Sequence, residues 1–401
     1  MRLRGPDGAD FWLGYGMNVH RDGSVEGLEA AVRDTVGPLR ERLGADGPFG
    51  LAIRLDADGV ADLVDDAPRR RLLADTLEAA DLFPFTGNAF VVGGFHDVGA
   101  KASVYRPGWA EPARVAYTLD FARAIAGLVG PGRDASLSTS PLAFRSAREG
   151  RDARARAVAH LVETGKRLCD LEAETGARVR LGLEPEPCCD LETTEEAIAF
   201  LTGPLADGFG DDDAARARVG VCFDVCHQAV EGEDVVASLR ALAAAGVPLV
   251  KLQASCAIVL EDPSDPAGRE ALGRFEEPRW LHQVVAGSGA SLRRAPDLPD
   301  VLRGRDAARW AATAPWRVHC HVPVHQETLV PPLRSTRPAL EAALREVVRT
   351  RATPHLEVET YTFDALPAAV RAPTLAESLA RELEWVLGVL ASEGVRPVED
   401  R

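Results

Sequence analysis

Apolar, β-branched runs alternate with amphipathic stretches along the whole chain. Residues 12–20 (WLGYGMNVH) and 49–55 (FGLAIRL) have the composition of buried strands, and 25–44 between them carries apolar residues at helical spacing. The same rhythm predicts strands over 89–96, 135–141, 179–187, 219–227, 247–255 and 354–362. Helices are predicted between them, over 113–130 and 153–176 for example, and after the last strand over 375–390. Eight strand–helix units of this kind point to an α/β chain folded as a (β/α)8 TIM barrel, a single domain over 1–401. The rhythm breaks once, and residues 256–325 are expected to form an insertion in the seventh βα connection, between strands seven and eight. A doubly wound open sheet is the alternative, but no glycine-rich fingerprint follows the first strand.

Composition narrows the function classes. The net charge is −15, from 46 Lys and Arg against 61 Asp and Glu. Such a surface repels phosphate backbones and anionic bilayers, so neither nucleic acid nor a membrane surface is an expected partner. No apolar run is long enough to cross a bilayer, and none of signal-peptide length precedes Asp10, so a cytoplasmic location without membrane insertion is expected. Seven cysteines without paired zinc-ribbon spacing read as reduced, packed thiols. The charged runs 148–157 and 208–220 read as solvated faces. Homo-oligomerisation is left open.

In a barrel the active site gathers at the carboxyl ends of the strands, and here those ends are polar. They carry Asn18 and His20, then His96, Ser138, Thr139 and Ser140. Further on come Glu184 with Glu186, Asp224 with His227, Lys251 with Gln253, and Glu357 with Glu359. Side chains two apart on a strand share a face, so each Glu or Lys–Gln pair points one way. Several carboxylates brought together this way need a compensating cation. Glu184, Asp224 and Glu359 with the Gln253 amide oxygen make an oxygen-rich set that favours Mg²⁺ or Mn²⁺, with Zn²⁺ the softer option. Asp224 ends an apolar run in GVCFDVCH and has a second reading, as the cap of the following helix. In VHCHVPVH (318–325), His319 and His321 would share a strand face, as a zinc site or a substrate-binding wall.

GLEPEP, CFDVCH, KLQAS and EVETYT, in that order, resemble the xylose-isomerase-like superfamily of sugar isomerases, epimerases and endonuclease IV. That group has a Glu on strand five, Asp-x-x-His on strand six, a ligand on strand seven and a Glu on strand eight. Gln253 at the seventh position looks like the hydroxypyruvate isomerase-type variant. More narrowly, YGMNVH, GFHDVGAKASVYRPGW, SLSTSPL, LEPEPCCDLETTEEAIAF, VCFDVCHQAVEGED, HCHVPVH and HLEVETYTFDALP resemble the EboE metabolite-traffic proteins. The resemblance implies a metal-dependent isomerase or epimerase acting through an enediolate on a small polyhydroxylated carbonyl compound, a sugar or cyclitol. Glu184 and Glu359 would be acid and base as well as ligands, and Asp224 and Gln253 ligands only. His227 would hold a substrate oxygen, with His96, Lys251, His319 and His321 lining the pocket. Glu186 and Glu357 would replace Glu184 and Glu359 if the register slips by two. The alternatives are a zinc phosphoesterase using His96, His227, His319 and His321, and a carrier that binds a metabolite without chemistry.

Overall fold

The computed structural model describes residues 1–145 and 152–398. Eight strands lie side by side, each parallel to its neighbours. They are β1 (Asp10–Tyr15), β2 (Phe49–Ile53), β3 (Leu82–Asn88), β4 (Asp134–Thr139), β5 (Arg178–Leu183), β6 (Val219–Asp224), β7 (Leu249–Ala254) and β8 (His355–Val358). Their order is β1-β8-β7-β6-β5-β4-β3-β2. The two outer members also approach each other, through a parallel bridge between Gly16 and Ala52. Glycine makes that approach feasible, since a Cβ on Gly14 would lie 2.8 Å from the Gly50 carbonyl oxygen. Short strands Arg2–Arg4 and Arg396–Pro397 extend the β1 side antiparallel. The fold is therefore a mixed α/β arrangement around a large parallel sheet.

The strands are apolar runs because both faces are covered, by each other's side chains or by helices. The helices bury one stripe each. In Arg337–Thr350, for example, Leu340, Ala343, Leu344 and Val347 fall inside at the spacing of adjacent turns. Local chemistry sets their starts. Thr193 and Glu196 form a reciprocal capping box ahead of Thr194–Thr202, and Thr374 caps Leu375–Ser392.

Three elements differ from the sequence expectation. The third strand is Leu82–Asn88, and the expected strand at 89–96 is irregular chain. Pro84 argues against a strand in LFPFTGN, but the pairing with β2 skips Phe85 just after Pro84, so the missing N–H falls at a register irregularity. In the 219–227 run the strand stops at Asp224 and a helix occupies Val225–Glu231. The run 316–325 is strand only over Trp316–Val318, so His319 and His321 do not share a strand face.

Between β7 and β8 the chain builds a second, antiparallel sheet of five short strands, Ile258–Leu260, Val284–Ala286, Arg293–Ala295, Trp316–Val318 and Arg334–Ser335. Residues 148–151 of the charged run at 148–157 lie outside the described residues. Among the described residues no helix is long and apolar enough to cross a membrane.

Candidate metal centre

Register brings the acidic groups together. Asp224 pairs with Gln253, and Gln253 with Glu357, so these three side chains lie on one face of the parallel sheet. Glu184 follows β5 directly and Glu359 follows β8 directly. One carboxylate oxygen from each of Glu184, Asp224 and Glu359 lies within 4.8 Å of the others. All three residues are buried. Burial, and then the charge of Asp224, pushes the Glu184 carboxyl well above the usual carboxylate range. Burial, followed by Glu184, Glu357 and Asp224, does the same to Glu359. Asp224 is pushed up by burial, but His227, His321 and the Ser255 hydroxyl outweigh this and hold it below its ordinary value.

Asp224 caps its helix with one oxygen and leaves the other unpartnered. Its Oδ1 accepts the His227 backbone N–H at 3.0 Å, capping the helix, and the Ser255 hydroxyl at 2.7 Å. Its Oδ2 is buried and has no hydrogen-bond partner among the described residues, like Oε2 of Glu184 and Oε2 of Glu359. Three buried, unpartnered carboxylate oxygens from residues this close are costly without a cation. The donor set therefore fits a divalent ion. Asn18 Nδ2 donates to Glu359 Oε1 at 2.8 Å and orients that carboxylate.

A second donor set adjoins the first. Asp224, His227 and His321 form one close group, and Glu186, His227 and His319 another, each with ligand atoms within 4.8 Å. The partner of each Nδ1 assigns its tautomer. His227 Nδ1 meets the Pro185 carbonyl at 3.1 Å and His321 Nδ1 the Glu359 carbonyl at 2.7 Å. His319 Nδ1 meets the Gln283 Oε1 at 2.8 Å. Gln283 is held in that orientation because its amide donates to the Tyr105 hydroxyl at 2.8 Å and to Glu186 Oε1 at 2.9 Å. Carbonyl oxygens only accept, so all three imidazoles carry hydrogen on Nδ1, and a neutral ring so held has its lone pair on Nε2. Yet His227 Nε2 and His319 Nε2 lie 3.2 Å apart. Two lone pairs at that distance need a cation or a proton between them. Burial pushes His227 down to about 4 and His319 well below its ordinary value, which disfavours the proton. Imidazole nitrogens with neighbouring carboxylates suit zinc better than Mg²⁺.

All members of these donor sets except Asp224 line a cavity of about 60 Å³. Glu184, Glu186, Glu359, His227, His319 and His321 line it with Asn18 and Asn88. Phe90, Phe95, Tyr105, Trp280 and Tyr361 line it with apolar surface. The Trp280 indole N–H donates to the Phe95 carbonyl at 2.8 Å, which fixes the ring.

Other expected pocket residues stand elsewhere. Lys251 is fully buried and forms an ion pair with Glu357 through Oε2, while Glu357 Oε1 is buried without a partner among the described residues. Neither residue lines the cavity. Gln253 is also buried outside the lining, with Oε1 taking the Cys222 thiol at 3.0 Å and Nε2 left without a partner. His96 sits off the lining with Nε2 on the Asn18 carbonyl at 2.7 Å. Tyr105, Gln283, Ser255 and Asn88 escaped the sequence reading. Only Ser255 carried a signal, two residues beyond Gln253 and directly after β7. Tyr105 and Gln283 come from long connections without periodicity.

No family model matches the sequence, and no curated protein does either. Solved structures do resemble it. A candidate sugar phosphate isomerase/epimerase from Anabaena variabilis superimposes with a TM-score of 0.50 at 13% identity, over 96% of this chain and 100% of that one. A D-tagatose 3-epimerase-like protein gives 0.49 at 10% identity, over 96% and 99%. The IolI protein with a bound zinc atom gives 0.46 at 14%, over 95% and 99%. At such identities the likeness bears on the fold alone.

Proposed function

We propose that the eight parallel strands close into a (β/α)8 barrel, with 256–325 inserted in the seventh βα connection, and that the protein is a metal-dependent isomerase or epimerase. Its substrate would be a small polyhydroxylated carbonyl compound, a sugar or cyclitol. The observation that carries this reading is the convergence of Glu184, Asp224 and Glu359, each with one buried unpartnered oxygen, beside a cavity. A divalent cation held by these residues supplies positive charge against the negative charge that grows on the substrate oxygens as an α-proton leaves. Glu184 and Glu359 take that proton and return it, one from the end of β5 and the other from the end of β8. Asp224 holds its place through the helix cap and Ser255. Asn18 orients Glu359, and the aromatic side of the cavity excludes water. The resemblance to EboE proteins would place this chemistry in metabolite biosynthesis or traffic.

The test is solvent exchange. Metal-loaded protein should exchange the α-hydrogen of a bound ketose or keto-cyclitol for deuterium, and Glu184→Gln should slow exchange by about a hundredfold or more. Exchange at an undiminished rate in Glu184→Gln would refute the assignment. The facing His227 and His319 lone pairs favour a second reading, hydrolysis of a small phosphoester with zinc in the imidazole set. Elemental analysis separates the two, since one metal per chain supports the isomerase and two or more support the hydrolase.

A further inference from the structure

Arg54 follows β2 directly, and it is the one Lys or Arg among the residues lining the cavity. It is only 5% exposed. Its Nη2 donates to the Gly93 carbonyl at 2.7 Å, and its Nε is buried without a partner among the described residues. Nη1 makes no hydrogen bond to the described residues either, and a Cβ on Gly23 would lie 2.4 Å from it, so glycine clears the space beside it. Among the described residues no carboxylate oxygen comes within 4.0 Å of the guanidinium; Asp22, Asp56 and Asp97 act on it only from further away. A buried, unpaired guanidinium is expensive in isolation and is normally met by a carboxylate or phosphate.

Its position gives the deficit a direction. In the sheet order, with β1 and β2 in contact, β2 lies four strands from β6 by either route. Arg54 thus stands at a strand end remote in the sheet from β6, and it lines the same cavity as Glu184, His227 and Glu359. The aromatic residues Phe90, Phe95, Trp280 and Tyr361 line the cavity that both ends share. We infer that Arg54 is an anion-binding subsite of this cavity, so that the substrate carries a carboxylate or phosphate at the end opposite its metal-chelating oxygens. This rests on the isomerase reading above and narrows its substrate class to sugar or cyclitol acids and phosphates.

Isothermal titration of three probes tests it: neutral D-fructose, D-fructose 6-phosphate and 5-keto-D-gluconate. Wild-type protein is measured both manganese-loaded and metal-free. At least one of the two anions should bind about tenfold or more tighter than fructose, as a desolvated charge pair would give. In Arg54→Met that preference over fructose should fall to within about twofold, and Arg54→Lys should restore part of it. Which anion is preferred identifies carboxylate or phosphate. No preference in the wild type, including no measurable binding of either anion, overturns the inference. So does a preference that survives in Arg54→Met. Should Arg54→Met fail to fold by circular dichroism, the wild-type comparison and a drop of threefold or more in Arg54→Lys decide instead. Failure of the parent reading is distinct, because it shows as no manganese or zinc uptake before any probe is added.

Discussion

Replacing Asp224 separates its two jobs. Asp224→Asn keeps an oxygen where Oδ1 caps the helix and accepts the Ser255 hydroxyl, but removes the charge from the unpartnered Oδ2. Asp224→Ala removes everything. The cap is worth about 0.5–2 kcal/mol and the hydroxyl bond about 0.5–1.5 kcal/mol. The alanine variant should therefore lose about 1–3.5 kcal/mol without metal, less whatever the relief of repulsion from Glu184 and Glu359 returns. For a chain of 401 residues each kcal/mol shifts the melting midpoint by about 1 °C. In EDTA the asparagine variant should melt within about 1 °C of wild type, and the alanine variant about 1–3.5 °C lower. With manganese or zinc the wild type should gain stability by mass action, and both variants should lose most of that gain. Loss of a ligand should weaken metal binding by at least the roughly 10–100-fold that losing an outer partner costs. Scanning fluorimetry with and without metal, alongside metal titration, measures both effects. An asparagine variant that keeps its metal-dependent shift, or that unfolds without metal, would refute the division of roles.

Glu382 should make stability fall with rising pH. It is buried and accepts from Thr360, Val324 and Ser378 without a cation, and burial raises its carboxyl from 4.5 to about 7. The folded state thus holds the proton longer than the unfolded chain, so its contribution is full below pH 4.5 and fades by about pH 7, a total of about 3 kcal/mol. Glu382→Gln should flatten that part of a urea-denaturation pH profile. An unchanged slope would mean that the carboxylate stays charged at no cost. Lys251→Met should destabilise by about 3–5 kcal/mol by stranding Glu357, and adding Glu357→Gln should recover most of it; denaturant midpoints report both. Gln283→Leu should free the His319 ring and weaken zinc binding by about 10–100-fold in a chelator competition, with little change if the imidazole set is not a metal site.

The alternation of apolar runs marked most parallel strands, because strands buried on both faces read as continuous β-branched stretches. It misplaced β3, where a proline stands in the run and a more apolar loop follows it. The carboxylates were legible because Asp and Glu are out of place at the ends of such strands. The roles of Lys251 and Gln253 were not, since strand position gives a side chain's face but not whether a neighbour occupies it. His319 and His321 drew notice as an alternating pair, but they converge through the bonds of their Nδ1 atoms, not through strand geometry. Arg54 carries no signal in the sequence. Its significance comes from missing partners, which only three-dimensional neighbours reveal.

The Asn18–Glu359 hydrogen bond joins residues 341 apart in sequence. Synthesis makes Glu184 and Asp224 long before Glu359, so an emerging chain holds an incomplete carboxylate set until β8 has left the ribosome. On the metal-dependent reading proposed above, two carboxylates without the third would bind a divalent ion weakly, so a nascent chain would hold the wrong ion poorly and selection would fall to the finished molecule.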